Sequence, residues 1–418
     1  MKILLLNQCF WPDVVATSQQ LSMLARRLSA RGHEVTVITS RRGYDNQELI
    51  FAKKERWHGV DVVRIRSLHF GKNTRWGRSL NFASFLLMCA GRLLITPRQD
   101  VVVALTSPPL ISWIGSVFTR LKGGRLVFWS MDLNPDEAIA AGWLNKESST
   151  AKFLARLLES SLRRAAAIVA LDRFMKERIV AKGLAGEKIE VIPPACDDGV
   201  HFDQKGREEF RRQHHLDDKF VVMYAGNHSP CHPLDTVLET ADALKSHDEI
   251  LFVFSGGGSQ LDRVKQFAEA RKLRNIRCLP YQPLEKLSSL LSSADLHLVV
   301  MGDAFKGIVH PSKIYNVLAI GLPFLFVGPE ESHVTDIIAT LANDEIAMHA
   351  HHGELKRIAE MISGLSQSSG DRIPLTNGES SAFAADAIHA RFINIIEYAS
   401  STQSEIAKLE AAAGISEG

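Results

Sequence analysis

Cysteine is scarce in this chain, and its distribution argues against two kinds of small-domain architecture. Five cysteines are spread over 418 residues, with no C-x-x-C pair and no cluster with histidine. This spacing supports neither a disulfide framework nor a structural zinc site. We therefore expect reduced thiols in a cytoplasmic protein, with no metal site.

Long apolar runs and a glycine-rich dinucleotide fingerprint are missing as well. The longest apolar stretch, residues 82–95, is interrupted by Arg92 and is shorter than the roughly 20 residues of a membrane-spanning helix. No G-x-G-x-x-G motif follows the first predicted strand, which argues against a nicotinamide or flavin cofactor there. Met1 and Lys2 lead directly into an apolar strand pattern, so we expect no secretory leader.

Acidic residues are absent from residues 64–98, which contain seven lysines and arginines interleaved with aromatic and apolar side chains. Residues 1–195 carry 29 Lys and Arg against 16 Asp and Glu, whereas the remainder carries 20 against 31. A basic, aromatic segment suits an anionic membrane surface, but it is also compatible with a core helix that has a solvated basic flank. No nucleic-acid-binding motif accompanies the charge. The membrane-facing candidates are Arg75, Trp76, Arg78 and Arg92.

Short β-branched runs alternate with helical patterns, which predicts α/β domains with parallel, doubly wound sheets. The predicted strands of the first half are 3–7, 34–39, 60–65, 101–105, 125–129, 167–170 and 189–192, and those of the second half are 220–224, 250–255, 276–279, 296–300 and 324–327. We expect an N-terminal domain over 1–195, a C-terminal domain over 196–382, and a helix and tail over 383–418. A boundary near Pro193-Pro194 separates the two domains.

The segment 307–323, GIVHPSKIYNVLAIGLP, predicts a loop followed by a helix that ends at Gly321. Ser312 can act as the N-cap, and Lys313 lies in the first turn, where a cation is unfavourable unless an anion is nearby. This pattern indicates a phosphate site, although a surface helix with an ill-placed lysine is an equal alternative.

Two further loops follow predicted strands of the C-terminal domain. Gly226 and Asn227 allow a tight turn, after which the amides of His228 and Ser229 can approach a phosphate. Gly256, in a run of three glycines, allows a close approach of a ligand. An ordinary βα turn is the alternative for the first loop, and it is less favoured because this loop would lie at the same sheet edge as the loop 307–313. Three glycines alone are a weak signal for the second loop.

The N-terminal domain offers carboxylates after its predicted strands. Asp132, Asp136 and Glu137 follow the strand 125–129, and Asp13 lies after the first strand. Asp136 and Glu137 suit the start of a helix after Pro135, so Asp132 is the preferred functional acid, able to orient a hydroxyl or accept its proton.

These motifs together resemble a known family. The segments NQCFWPD, ARGHEVTVIT, MDLNPDEAIAAGW, IEVIPPACDD, AGNHSPCHPLDT and GIVHPSKIYNVLAIGLP are similar to those of bacterial retaining glycosyltransferases of family 4. Within this family, the chain is similar to the polysaccharide-biosynthesis enzymes related to colanic-acid and O-antigen transferases. It implies the GT-B fold, in which two Rossmann-like domains face a cleft and a C-terminal helix crosses back.

The resemblance also implies site residues. The turn at Gly226–Ser229 and the loop Gly307–Lys313 would hold the diphosphate of a nucleotide sugar, and the backbone around Tyr281 would receive the base. The helix from Ser312 would contact ribose or sugar hydroxyls. Lys313 would stabilise the leaving diphosphate without a metal or cofactor, because no lysine or arginine follows Gly226 until Lys245.

The chain departs from the family pattern at several positions. Ile308 and Asn316 stand where the family has two glutamates, so His310 or Asp303 would have to substitute at the first position. Asp132 takes the place of an acceptor-side histidine, with Asp13, Asp136 and Glu137 as further acceptor-side candidates.

The expected function is retaining transfer of a sugar from a nucleotide diphosphate to a polyprenyl-diphosphate-linked glycan. The enzyme would work at the inner face of the cell membrane, in surface polysaccharide assembly. Two alternatives remain: a nucleotide-sugar epimerase of the same fold, and a catalytically silent nucleotide- or lipid-binding partner of another transferase.

Overall fold

The computed structural model describes residues 1–44, 48–68, 70, 75–196, 199–341, 346–368 and 383–401. The side chains of Arg75, Trp76 and Arg78 lie outside this description. The chain forms two compact units, Met1–Pro193 with the residues from Asp386 onward, and Pro194–Ala385.

The first unit is built on an eight-stranded sheet. Its strands are β1 (Lys2–Leu6), β2 (Glu34–Ser40), β3 (Lys54–Trp57), β4 (Val60–Ile65), β5 (Val101–Ala104), β6 (Arg125–Ser130), β7 (Ala167–Ala170) and β8 (Ile189–Val191). They lie in the order β3-β4-β2-β1-β5-β6-β7-β8, all parallel except the edge pair β3-β4. Strands β1 and β5 are almost wholly buried, as expected for a sheet covered by helices on both faces.

The helices of this unit connect its parallel strands. They are α1 (Ala16–Ala30), α2 (Arg75–Ile95), α3 (Ile111–Lys122), α4 (Asp136–Ala140), α5 (Ser149–Arg164) and α6 (Arg173–Val180), followed late in the chain by α14 (Ala385–Ser400). Helix α14 packs on this unit: the Phe392 ring meets Trp129 edge-on at 4.5 Å, and Arg391 donates to the Val191 carbonyl at 3.0 Å. The expected return of a C-terminal helix is therefore confirmed.

The second unit contains a fully parallel six-stranded sheet. Its strands are β9 (Phe220–Asn227), β10 (Ile250–Gly257), β11 (Ile276–Leu279), β12 (Leu296–Val300), β13 (Phe324–Val327) and β14 (Ala347–Ala350), in the order β11-β10-β9-β12-β13-β14. Its helices are α7 (Gln204–Gln213), α8 (Asp235–Ala243), α9 (Leu261–Arg271), α10 (Leu287–Ser292), α11 (Lys313–Ile320), α12 (His333–Ile338) and α13 (Leu355–Gln367). All carboxyl ends of these strands meet at one edge of the sheet, where ligands bind in such folds.

The prediction of two doubly wound parallel sheets is confirmed, with two strand omissions. The antiparallel edge strand β3, which alternates exposed and half-buried side chains, and the short strand β14 carry too weak an apolar pattern to be predicted. Strands β9 and β10 also run two to three residues further than predicted. Gly226 pairs with Gly256 and Asn227 with Gly257, so the expected turn at Gly226–Asn227 is wrong and the chain leaves the strand at His228.

Candidate functional site

Lys313 is the first residue of α11, and its ammonium lies on an aromatic face. The Nζ atom is 3.4 Å from the centre of the Tyr224 ring. It is buried, and it has no hydrogen-bond partner in the described part of the chain. Burial lowers the pKa of Lys313 well below its usual value, because the charged form has lost its water. The ammonium form of this lysine is therefore desolvated, and its near neighbour is an aromatic ring.

The start of α11 differs from the prediction. Ser312 occupies the N-cap position, but it has helical dihedral angles and its side chain makes no capping hydrogen bond. The expectation that Ser312 caps this helix is wrong. The C-terminal end was predicted correctly, since Gly321 is left-handed there, with φ of 74°.

Tyr224, on β9, fixes the surface on which Lys313 lies. The residue is fully buried, and its hydroxyl donates to the carbonyl of Asn227 at 2.9 Å. Burial, with smaller contributions from Tyr281 and Cys231, raises the pKa of the Tyr224 phenol well above its ordinary value. The phenol therefore stays neutral, and its hydrogen bond lies within the carboxyl end of β9.

The loop after β9 places two histidines near Lys313. The backbone N–H of His228 donates to the Gly257 carbonyl at 2.7 Å, so the expectation that this amide is available to a phosphate is wrong. The His228 ring meets Tyr224 edge-on at 4.8 Å, and its Nε2 is buried without a hydrogen-bond partner among the described residues. Burial and the charge of Lys313 lower the pKa of His228 to about 4.

His232 is the second histidine of this loop. Its Nδ1 is 2.8 Å from the carbonyl oxygen of Val300, at the end of β12. Burial, followed by the charge of Lys313, lowers the pKa of His232 to about 3. His232 and Tyr224 were not predicted as site residues, although the loop offered one signal: it contains histidines where lysine and arginine are absent.

Glycines allow the strand ends of β9 and β10 to approach each other closely. A Cβ on Gly256, which has φ of 136°, would lie 2.1 Å from the Gly226 carbonyl oxygen. A Cβ on Gly258 would lie 2.4 Å from Oδ1 of Asn227, and one on Gly257 would lie 2.7 Å from the Tyr281 ring. These positions exclude larger residues and bring Tyr281 to the same edge of the sheet.

Gly226 differs from its neighbours because a Cβ there would make only ordinary van der Waals contacts. A Cβ there would meet only Cε and Nζ of Lys313, each at 3.7 Å. The backbone at Gly226, which has φ of 127°, therefore lies directly over the lysine side chain. Ser229 follows in the same loop, where its carbonyl accepts the N–H of His232 at 2.9 Å.

The loop before α11 is mostly interior. Gly307 has φ of 67°, and Ile308 is buried, with its N–H bonded to the carbonyl of Phe305. His310 is buried, and its Nε2 lies 2.7 Å from the hydroxyl of Tyr315. The side chain of Ile308 therefore belongs to the core. Asn316 lies about one turn beyond Lys313 on α11 and is partly buried.

In the first unit, Asp132 follows β6 and lies near Glu137. Burial, followed by the charge of Glu137, raises the pKa of Asp132 well above its ordinary value. The side-chain amide of Asn134 donates to Glu137 at 2.9 Å, which holds the second carboxylate near the first. The arrangement favours a protonated Asp132, or a strong base once its proton is lost.

The other two acids of this unit have structural partners. Asp136 forms an ion pair with Lys182 at 2.8 Å and lies in the first turn of α4, as its position after Pro135 suggested. Asp13 accepts the backbone N–H of Tyr44 at 2.7 Å and so holds the loop after β2. Neither the ion pair of Asp136 with Lys182 nor the hydrogen bond of Asp13 with Tyr44 involves Asp132.

The basic segment 64–98 divides into interior and exposed parts. Arg64 is buried, pairs with Glu55 and donates to the Trp11 carbonyl at 2.7 Å, so it does not belong to a basic surface. Arg92 is partly buried, with its Nε in the interior. Arg75, Trp76 and Arg78 were predicted to face a membrane, and their side chains lie outside the described residues.

Helix α2 carries an exposed apolar stripe that the charge pattern did not reveal. Its members are spaced at helical intervals and are each about half exposed or more: Leu80, Leu87, Met88, Leu94 and Ile95. In the described part of the chain, no helix is both long enough and apolar enough to cross a membrane.

Two protein-family models match this chain. A model described as a glycosyl transferase 4-like domain matches residues 16–195, and one described as glycosyl transferases group 1 matches residues 206–326. The chain belongs to the family-4 glycosyltransferases of the GT-B fold. It is therefore a glycosyltransferase. The first matched region lies in the first unit except for its last two residues, and the second matched region lies in the second unit.

Individual relatives agree with this assignment. The chain is 27% identical, over 334 residues, to a putative colanic acid biosynthesis glycosyl transferase, WcaI, of Escherichia coli, covering 77% of this chain and 82% of the relative. It is 25% identical, over 242 residues, to the probable glycosyltransferase WbjE of Pseudomonas aeruginosa, covering 58% and 60% respectively. Neither relative is named as an epimerase.

A solved structure shares the fold. The crystal structure of Anabaena Alr3699/HepE in complex with UDP and glucose superposes with a TM-score of 0.70 at 14% identity, covering 95% of this chain and 100% of that one. At this level of identity the likeness concerns the fold alone.

Proposed function

We propose that this glycosyltransferase moves a sugar from a nucleotide diphosphate to a polyprenyl-diphosphate-linked glycan, with retention of configuration, during surface polysaccharide assembly. The observation that carries the proposal is the buried ammonium of Lys313, which lies against the side-chain-free backbone of Gly226. The polysaccharide context is supported by the colanic acid relative.

The donor would bind at the carboxyl edge of the second sheet. A desolvated cation without a hydrogen-bond partner is costly, and an anionic ligand would remove that cost. The diphosphate would approach over Gly226, where no side chain blocks Lys313, and the base would lie near Tyr281. The Anabaena structures, solved with UDP and with UDP-glucose, support a donor of this chemical class.

Lys313 would then stabilise the negative charge that develops on the departing diphosphate. A preorganised cation in a water-poor site is more effective than the same charge in water. We propose that the lysine performs this task without a metal ion, so transfer should continue in the presence of a chelator.

Asp132 would orient the acceptor hydroxyl or accept its proton. Its raised pKa makes its carboxylate a stronger base than an ordinary aspartate, which suits proton transfer from a hydroxyl. Asp136 would contribute indirectly, by holding α4 through Lys182.

The apolar stripe of α2, together with the arginines near its ends, would hold the enzyme at the cytoplasmic face of the membrane that carries the lipid-linked acceptor. Leu87 and Leu94 are 74% and 72% exposed, which is unusual for side chains seven residues apart on one helix face. Apolar side chains with neighbouring cations are typical of surfaces that bind anionic lipid.

A thermal-shift panel tests the proposed donor class. Purified protein is heated with UDP, GDP, dTDP and CMP, and then with their common sugar conjugates. A ligand that binds only the folded state raises the melting temperature according to its concentration relative to Kd. We expect one nucleoside diphosphate to give a clear shift. The absence of any shift, in protein that unfolds cooperatively, would contradict the proposal.

A further inference from the structure

Three titratable side chains lie close together near the end of β9. They are those of Lys313, His228 and His232. Nζ of Lys313 and Nε2 of His228 are both buried without a hydrogen-bond partner in the described residues. Lys313 and His228 both contact the Tyr224 ring, at 3.4 and 4.8 Å from its centre, and the charge of Lys313 acts on both histidines, so the three groups form one electrostatic cluster.

Backbone carbonyls determine where each histidine can bind a proton. Nδ1 of His228 lies 3.1 Å from the Gly257 oxygen, and Nδ1 of His232 lies 2.8 Å from the Val300 oxygen. A carbonyl oxygen accepts only, so in each neutral ring Nδ1 carries the proton and Nε2 has the lone pair. A further proton would therefore bind at Nε2, and each ring would then be a cation.

The groups that face this cluster provide no negative charge at neutral pH. Tyr224 from β9 contacts both Lys313 and His228, and Cys231 and Tyr281 in turn act on Tyr224. Among these described neighbours none is a carboxylate. The cluster therefore has no built-in counter-ion for a second positive charge.

The ligand would bring the missing negative charge. A nucleotide sugar carries two negative charges on its diphosphate. Among the described residues of the loop after β9 and of α11, the lysine or arginine that lies against the end of β9 is Lys313. Between Gly226 and Lys245 the sequence has histidines instead of lysine or arginine. A histidine can supply positive charge only by taking up a proton.

We propose that His228 and His232 complete the donor-diphosphate site by taking up a proton from solvent at Nε2 when a nucleotide sugar binds. This inference rests on the proposed function and adds the means by which the site balances charge. No covalent bond is made or broken in this step. The proton comes from water or buffer and returns there when the nucleotide leaves.

Two features support the direction of this coupling. Without ligand, burial and Lys313 keep the pKa of His228 near 4 and that of His232 near 3, so both rings are neutral at pH 7. An anion near Gly226 favours the protonated rings and raises both pKa values. Since the bound state then holds more protons, affinity must fall as pH rises between the free and bound pKa values.

Isothermal titration calorimetry with UDP-glucose tests the coupling, and GDP-mannose or dTDP-glucose is used if the thermal-shift panel selects another base. The phosphates of a sugar ester do not titrate between about pH 5 and 8, where histidine normally does, so any pH dependence belongs to the protein. We expect the association constant to fall with rising pH, by up to about tenfold per pH unit for each proton taken up. The measured heat should also change between buffers of different ionisation enthalpy.

Variants locate the proton. The double variant His228→Asn, His232→Asn should still bind the nucleotide sugar through Lys313, but with a flat pH profile and no dependence on the buffer. His247→Asn, at an exposed histidine of the same unit, should behave like the parent. Circular dichroism and a cooperative melt establish that each variant is folded, and the two single variants replace the double variant if it is not.

The outcomes separate this inference from the proposed function. Binding with a flat pH profile in the parent would overturn the proton coupling alone. A pH profile that persists in the histidine variants would assign the proton to Lys313 and overturn the role of the histidines. Absence of binding to any nucleotide sugar, at every pH, would overturn the proposed function and this inference with it.

Discussion

The ammonium of Lys313 lies 3.4 Å from the centre of the Tyr224 ring, and in the described structure it has no hydrogen-bond partner. A cation over an aromatic face gains about 2 kcal/mol when both are desolvated, which offsets only part of the cost of burying the charge. The buried ammonium therefore adds little to the stability of the folded protein. It can add much more to the binding free energy of an anionic ligand.

Replacing Lys313 by methionine should therefore stabilise the unliganded protein. The variant keeps the apolar stem and removes the desolvated charge, so we expect the free energy of unfolding to rise by about 1 kcal/mol or more. Because the pKa of Lys313 is lowered in the folded state, the parent should gain stability as pH rises above that pKa, and the variant should lack this gain. Urea denaturation at two pH values measures both effects, and a clear loss of stability in the variant at neutral pH would contradict the account.

The closeness of β9 and β10 can be tested at a glycine. Gly256→Ala would place a methyl group 2.1 Å from the Gly226 carbonyl oxygen, on a backbone with φ of 136°, so we expect a loss of about 3 kcal/mol or more in unfolding free energy.

Gly353→Ala is the matched control for this substitution. Gly353 also has positive φ, of 87°, but a Cβ there would have nothing within 4 Å, so only backbone strain of about 1 kcal/mol is expected. Equal losses in the two variants, measured by chemical denaturation, would show that the approach of the strands is not tight.

Asp132→Asn should abolish transfer and yet stabilise the protein. The pKa of Asp132 is raised in the folded state, so the stability it contributes is present below its ordinary pKa and is lost as pH rises through the raised value. The asparagine variant should melt at a higher temperature than the parent at pH 7, with the difference shrinking towards pH 4. A variant that is less stable at pH 7, or that retains parental transfer activity, would remove Asp132 from this role.

The apolar stripe of α2 predicts membrane attachment that depends on two leucines. Leu87→Glu with Leu94→Glu should reduce sedimentation with vesicles containing phosphatidylglycerol by tenfold or more, because each buried leucine contributes about 2 kcal/mol. Leu284→Glu, at a 42% exposed leucine of the second unit, is the control. Equal vesicle binding by the α2 variant and the control would contradict a role of the apolar stripe in membrane attachment.

The sequence was sufficient for the architecture because buried parallel strands read as short β-branched runs. Strands β7, β11, β12 and β13 have the predicted bounds. The pattern failed at β3, where half-buried edge residues alternate with charges, and at the ends of β9 and β10, where glycines continue a ladder that apolar residues no longer mark. Glycine was interpreted as a turn because its freedom is useful both in turns and in close backbone approaches.

The candidate site was predictable in its position but not in its contacts. Lys313 and the carboxyl end of β9 do meet, at Tyr224 and Gly226, since the carboxyl ends of parallel strands share an edge. The sequence could not show that the His228 amide is already bonded, because its partner, Gly257, lies on the neighbouring strand. The sequence also could not show that Arg64 is buried while other arginines of residues 64–98 are exposed. Burial of a charge depends on partners such as Glu55.

Direct measurement of nucleotide affinity tests the central claim, that Lys313 forms the donor-diphosphate site. The nucleoside diphosphate selected by the thermal-shift panel is titrated into the parent, Lys313→Met and Lys306→Met. Lys306 lies in the loop before α11 and is paired with Glu331. We predict that Lys313→Met loses at least tenfold in affinity, as expected for a charged hydrogen bond of about 1.5 to 3 kcal/mol, while Lys306→Met binds like the parent. Unchanged affinity in a folded Lys313→Met variant would contradict the account.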